Sequence, residues 1–543
     1  MTGAALGRWI DATIFDLARQ VRWSYVPPLM VYLAAGVSGL TAIVGTFFIK
    51  EHLDLSAAFL AGLTFWAGIP WTLKMPLGHL VDLIWRWKAM LVYLGAGLIA
   101  LSIAIMYGLI AHTEAMAQYL SVEAWFVISA LLAPSGYVIQ DVVADAMTVE
   151  AVPLVDERGE SYPDAEIKAM HTTMQTLGRF AIVSGLITVS TLNIVMFAGI
   201  GEMSEAEKAS IYADIYLLAL SIPAISIAGV ILAATTLRFR TQKLRQQGFD
   251  EESIESMLFT PAEKTEPNWW IFGGSFAFVA FTLAMGLGQA PFAQEIIFLG
   301  AMAIVLFLMH RLLLELDPEV RRTLVGTAVI IFIFRAVPLP GPGATWFEID
   351  VLGFDQRFLS VLSLITSGLA LAGMVLLRPL MARRSIAYVV AVLTIAAGIL
   401  SLPNIGLYFG LHEWAAPRTG GIVDARFIAI LDTAIESPLA QISMIPMLAW
   451  IAKNAPAHLK ATFFAVMASF TNLALSASSL GTKYLNQIYA VTREVRDRVT
   501  NAIQVPADYS ELGWLLITVA AITVAAPLLA IALVQHSRLR TQQ

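Results

Sequence analysis

Long unbroken apolar runs decide what this chain can become. Residues 26–48, 89–111 and 512–534 each contain no charged side chain. A bilayer core is about 30 Å thick and takes roughly 20 apolar residues per helix. In lipid the backbone must satisfy its own hydrogen bonds, so each run is expected to be a membrane-spanning helix. Of 543 residues, 58% are apolar and 14% are charged, against about 25% charged in soluble domains. That balance excludes a soluble enzyme and predicts an all-α polytopic membrane protein.

Hydropathy predicts six spans near 26–48, 56–76, 89–111, 122–146, 168–192 and 211–235. Two more follow near 269–288 and 293–311. A second six lie near 323–340, 357–378, 385–408, 426–451, 460–482 and 512–534. The expected organisation is two six-helix bundles with an extra helix pair between them. Fourteen spans are expected, with twelve as the alternative, since Glu295 falls early in the second member of the pair. The expected segments are an amphipathic stretch 1–24, a first bundle 25–237 and a linker 238–268. The helix pair 269–312, a second bundle 313–535 and a tail 536–543 complete the chain.

With the N-terminus inside, most of the 34 Lys and Arg fall on cytoplasmic segments, as the positive-inside rule demands. An even number of spans returns the C-terminus to the same side, so both termini are expected to be cytoplasmic. A bacterial inner (plasma) membrane is the expected location. On this reading Lys483 lies in a long external loop with Arg493, Arg496 and Arg498. Residues 1–23 carry Asp11 and Asp16 within their apolar stretch, which does not fit a secretory signal. Ile10, Ile14, Leu17 and Val21 recur at helical spacing, which fits a helix lying on the membrane surface. The net charge of −6 and the absence of cysteine give no basic face for nucleic acid and exclude disulfides and cysteine–metal sites. The eight histidines form no HExxH pair, so no metal is expected. No cofactor and no enzymatic activity are expected, and no Walker loop suggests ATP drive.

The informative residues are the charges inside the spans, because each is costly there and normally faces a cavity or a partner. Asp141 and Asp145 stand one turn apart late in the fourth span, with Gln140 beside them. Two carboxylates on one face repel, which suits a proton carrier; solvation at the cytoplasmic interface is the alternative. His171, Gln175 and Arg179 form an i, i+4, i+8 stripe on the fifth span. Arg179 needs an anion, either an acid of the fourth span or a ligand. Arg335 precedes a helix break at Pro338 and Pro340. Such a break is tolerated only where protein or water satisfies the freed backbone. Arg335 is thus a second anion candidate, or else an arginine snorkelling to the interface. Asp432 and Glu436 repeat the one-turn acidic spacing in the twelfth span, at a different depth from Asp141.

After the second span, Gly78, Asp82 and Arg86 are spaced four apart, which puts them on one helical face. Gly78 is expected to admit a neighbouring helix, with Asp82 pairing with it or capping it. The spacing resembles the signature loop of the major facilitator superfamily, with Trp85 where its second glycine belongs and Trp87 separating Arg86 from Lys88. A latch on the cytoplasmic side is the expected role. A basic loop that simply obeys the positive-inside rule is the alternative.

Four segments in order, PWTLKMPLGHLVD, IQDVVADAMTVE, RAVPLPGPGATWFEIDVLGFDQRF and LKATFFAVMASFTNLA, resemble the folate–biopterin transporter family of that superfamily. Lys460 departs from the family pattern, which has a glutamate there. The resemblance implies proton-linked uptake of folates or reduced pterins and, residue by residue, points to Lys74, Asp141 and Asp145. The expected partners are protons, a small organic anion and the lipid bilayer, with the chain acting as a monomer. Two other readings stay open. One is a proton-linked peptide or muropeptide permease, since peptide transporters also carry an inserted helix pair. The other is a non-transporting pigment-delivery factor on the same fold.

Overall fold

The computed structural model describes residues 21–53, 55–72, 74–153, 162–251, 291–314, 317–376, 385–440, 460–496 and 503–539, with isolated positions between 254 and 285. Among these, eight helices are long and apolar enough to cross a membrane. The first half opens with α1 (Val26–Val37) and α2 (Ala42–His52), joined by a 3-10 turn at Ser38–Thr41. Pro27 and Pro28 sit in the first turn of α1, where their missing N–H groups cost nothing. Then come α3 (Ala57–Thr72), α4 (Lys74–Leu83), α5 (Ala89–Ala111) and the short α6 (Thr113–Ala117). Helix α7 (Val122–Ala151) is capped by Ser121, whose hydroxyl accepts from Ala124 N–H. Helices α8 (Asp164–Met196), α9 (Glu205–Ala219) and α10 (Ser221–Gln246) complete the half. A capping box between Ser204 and Glu207 starts α9, satisfying two orphan donors reciprocally.

Helix α11 (Ala293–Leu313) stands between the halves. The second half contains α12 (Pro318–Arg335), α13 (Pro342–Asp350), α14 (Gln356–Leu376), α15 (Ile386–Tyr408) and α16 (Leu411–Arg418). It continues with α17 (Ala425–Ala440), α18 (Lys460–Ile488), a small antiparallel hairpin of β1 (Val495–Arg496) and β2 (Ile503–Val505), and α19 (Leu512–His536). Every window expected from hydropathy outside 269–288 therefore holds a helix or a pair of consecutive helices. The expected 269–288 span, the 1–20 segment, most of the 238–268 linker and residues 441–459 lie outside the described residues.

Glycines set the closest helix contacts in the first half. A Cβ on Gly36 would sit 2.1 Å from Ile182 O, and one on Gly185 would sit 2.7 Å from Leu33 O. Helices α1 and α8 therefore touch backbone to backbone. Gly95 of α5 and Gly136 of α7 do the same, at 2.7 and 2.6 Å from each other's carbonyls. Small residues of this kind let membrane helices approach where no hydrophobic force drives them together. Contacts between the halves run mainly along α3 with α18 and α8 with α14. Trp346 of α13 is buried in the core cluster built on Phe47, Phe48, Leu53 and Leu55.

The end of the molecule where α2 finishes, here the far face, joins the two halves by polar contacts. Lys50 pairs with Asp350 at 2.5 Å, and Tyr509 donates to the same carboxylate at 2.5 Å. Arg493 donates to the carbonyls of Lys50 and Leu55, each at 2.8 Å, and lies over the Trp346 ring at 4.7 Å. Gln356 donates to the Tyr212 hydroxyl at 2.6 Å.

Two expectations are corrected here. Lys483 is not in a loop: α18 runs to Ile488, and Lys483 sits within it, paired with Glu295 of α11 at 3.0 Å. Gly78, Asp82 and Arg86 do not share one helix face, because α4 ends at Leu83 and Trp85–Trp87 form a 3-10 turn. Lys88 holds that turn. Its ammonium lies 4.1 Å from the Trp85 ring centre and pairs with Glu150 of α7. A Cβ on Gly78 would meet nothing within 4 Å among the described residues.

Candidate substrate and proton site

Four helices of the first half converge on one polar cluster. Lys74 opens α4, and its ammonium reaches Asp141 at 2.6 Å and Asp145 at 2.8 Å. The two carboxylates lie one turn apart on α7, so a single cation can bridge them. The Tyr32 hydroxyl of α1 donates to the other oxygen of Asp145 at 2.6 Å. Tyr32 fits because α8 has a glycine opposite: a Cβ on Gly178 would lie 2.9 Å from the Tyr32 ring. Charge-assisted bonds of this kind are about twice as strong as neutral ones.

Helix α7 continues to Ala151, six residues past Asp145, so the pair is not at a frayed helix end. The Asp145 side chain is 45% exposed and that of Asp141 20%. The cluster is thus open enough to meet a small ligand. Gln140 faces away from it, donating to Val92 O at 3.3 Å and accepting from Ser226 at 3.0 Å. Its role is to join α5, α7 and α10.

Arg179 follows Gly178 on α8 and is exposed. It lies near enough for its charge to act on Asp141 and Tyr32. Among the described residues it makes no ion pair or hydrogen bond; Lys74 is the cation that holds the acids. Gln175 and His171 lie on the same helix one and two turns earlier. Their side chains, with those of Asp82, Arg86 and Glu436, lie outside the described residues.

In the second half, Arg335 and Asp432 lie on separate helices. Arg335 is the last residue of α12, and its Nε is buried with no hydrogen-bond partner among the described residues. The break that follows is satisfied by α18. Ser478 donates to Val337 O at 2.6 Å, Leu339 N–H donates to Thr482 at 2.9 Å, and Asn486 donates to Pro340 O at 3.1 Å. Asp432 of α17 is buried and accepts from Asn404 of α15 at 2.9 Å. Glu348 of α13 lies within electrostatic reach of Asp432.

Sequence reasoning missed Tyr32, Gly178 and Glu348. A tyrosine in an otherwise apolar span was the only visible signal for the first, and a Gly-Arg dipeptide for the second. For Glu348 the signal was an acid just beyond a proline-rich break.

The family model described as the BT1 family matches residues 289–542. A folate-biopterin transporter of Synechocystis sp. is 28% identical over 154 residues, which is 28% of this chain. The match spans 30% of that relative's length. Among solved structures, a peptide transporter of the POT family in complex with sulfate superposes with TM-score 0.60 at 15% identity, covering 96% of each chain. The nucleoside transporter NupG superposes with TM-score 0.53 at 12% identity, covering 94% of this chain and 99% of its own. At such identities the likeness is one of fold. The resemblance drawn from the sequence motifs is borne out: this integral membrane protein has the major facilitator fold, and its residues 289–542 match the BT1 family.

Proposed function

We propose that the chain is a proton-coupled secondary transporter of a small organic anion, of the folate or pterin class, working by alternating access with both termini in the cytoplasm. The observation that carries this reading is the bridge from Lys74 to Asp141 and Asp145. One cation shared by two carboxylates is a balance that a proton or a ligand can tip. Protonating either acid frees part of the lysine's coordination. An amino-pyrimidine edge presents parallel donors, which a carboxylate accepts side by side as it does from arginine. Arg179 and Arg335 are candidates for the carboxylates of a folate tail, through the planar two-bond fork of guanidinium. The name of the Synechocystis relative supports this substrate class.

The test combines binding and coupling. Purified protein is screened by thermal shift against folates, pterins, peptides and nucleosides, since a ligand of the folded state raises its apparent stability. Asp141→Asn and Asp145→Asn are then assayed for uphill accumulation and for exchange. Asparagine keeps the shape and cannot titrate, so accumulation is lost and exchange survives at the coupling residue. Unchanged pH-driven uptake in both single variants and the double variant removes these acids from the mechanism. Stabilisation by peptides and by no pterin would replace the folate reading with the peptide one.

A further inference from the structure

Helix α11 does not merely occupy the space between the halves; its first turn is bonded to both. The Gln294 amide N–H donates to Gly62 O of α3 at 3.1 Å, and its carbonyl oxygen accepts from Lys483 of α18 at 2.9 Å. One side chain therefore spans from the first half to the second. The neighbouring Glu295 anchors α11 to α18 alone, through Lys483 at 3.0 Å and the Tyr484 hydroxyl at 2.7 Å. A Cβ on Gly62 would lie 3.1 Å from the Gln294 amide, so a side chain there would crowd this contact by a few tenths of an ångström. Gly62 lies near the start of α3, and Gln294 and Lys483 near the ends of their helices. All three belong to the far face, where Lys50, Arg493 and Gln356 also bond across the halves, whereas Asn472 of α18 donates to Trp71 O at 3.4 Å at the other end of α3.

Separating α3 from α18 at this face breaks the Gln294–Gly62 bond, while the Glu295 anchor can stay intact. We propose that α11 is a clasp: it rides on α18 and, through Gln294, holds α3, so that each opening of the far face requires Gln294 to release Gly62. The function rests on the transport reading, whereas the clasp itself can be measured without any substrate.

The chain has no cysteine, so a single thiol can report the opening. Ser476 of α18 is buried, and its hydroxyl lies 3.8 Å from the Cβ position of Gly68 on α3. Ser476→Cys in nanodiscs is treated with a membrane-impermeant maleimide, alone and with Gln294→Glu. Glutamate at 294 keeps an acceptor for Lys483 and loses the donor to Gly62 O, so α11 stays docked while the clasp is cut. The expected result is labelling about 3- to 10-fold faster, the population shift from losing one hydrogen bond. Gln294→Ala gives the same direction.

Ser102→Cys, buried between α5 and α7 within the first half, is the control for general loosening and is expected to keep its rate. Equal labelling of Ser476→Cys with and without Gln294→Glu overturns the clasp, as does a parallel rise at Ser102→Cys. If Gln294→Glu does not fold, hydrogen exchange over residues 470–482 in Gln294→Ala decides. Faster exchange there than in α5 supports the clasp, and equal exchange rejects it. Faster labelling in a protein that binds no folate or pterin keeps the clasp and rejects the substrate class.

Discussion

The two halves handle buried charge in opposite ways. In the first, Asp141, Asp145, Lys74 and Tyr32 share one connected cluster, with Arg179 beside it. In the second, Asp432 is held by the neutral amide of Asn404, and Arg335 ends its helix with Nε unpartnered among the described residues. A network whose members hold one another responds as a unit when one proton arrives. An acid held by an amide can change its charge with little rearrangement around it. On the proposed transport reading, the coupled proton chemistry belongs to the first half, and the second half is left to shape and charge recognition.

The largest effect is expected from Lys74→Met. It leaves two acids one turn apart without the cation that bridges them, and breaking a buried pair typically costs about 3–5 kcal/mol. The partly open site argues for the lower end, so a loss of about 3 kcal/mol and of all accumulation is expected, read by melting temperature and uptake. A stable, active Lys74→Met protein would end the idea that this cluster is one unit.

Next comes Asp432→Asn, measured beside Asp141→Asn. Asparagine at 432 still accepts from Asn404, so stability should fall by only about 1 kcal/mol, and proton-driven accumulation should persist. If Asp432→Asn uncouples as fully as Asp141→Asn, the asymmetry between the halves is false.

Arginine substitutions sharpen the comparison on the substrate side. Arg179→Lys and Arg335→Lys each remove the planar fork. At whichever residue grips the substrate's anion, affinity for folate should drop about tenfold, the equivalent of 1.4 kcal/mol. Affinity for a pterin without the carboxylate tail should stay as in the wild type. Wild-type binding of both ligands by both variants would remove anion recognition from the proposal.

Within the cluster itself, Tyr32→Phe is expected to act less than Lys74→Met, since it removes one hydrogen bond to a carboxylate and leaves the ring packed on Gly178. A loss of about 1.5 kcal/mol in stability is expected. Accumulation should survive at reduced rate. Complete uncoupling would make Tyr32 a member of the proton path instead of a support for Asp145.

The helices were legible because length and hydropathy over-determine them: a bilayer fixes how long an apolar run must be. Their ends were less so. Helix α12 spans Pro318–Arg335 instead of 323–340, because Pro318 starts it and the prolines after Arg335 stop it. The acidic pair was legible from its one-turn spacing, and Lys74 from family resemblance. What spacing could not show was partnership across helices. Tyr32 reaches Asp145 from 113 residues away, and only the glycine at 178 makes room for it. The single helix face expected for Gly78, Asp82 and Arg86 is interrupted for a local reason. Lys88 stacks on Trp85 and pairs with Glu150, and that turn ends the helix before Arg86. Lys483 was misplaced because a polar residue near a helix end looks the same in sequence whether it meets water or Glu295.

The proline-rich break after Arg335 has a consequence beyond this molecule. Its freed backbone groups are met by Ser478, Thr482 and Asn486, spaced four apart along one face of α18. The break and the stripe are two halves of one lock, about 140 residues apart in the chain. An unbroken α12 leaves Thr482 and Asn486 bonded only to the backbone of their own helix, and an apolar stripe leaves a broken backbone unmet. Among related sequences the two should therefore be inherited together, with loss of the prolines accompanied by apolar residues at all three stripe positions. A lineage that keeps one feature without the other would have to satisfy its backbone from a different helix.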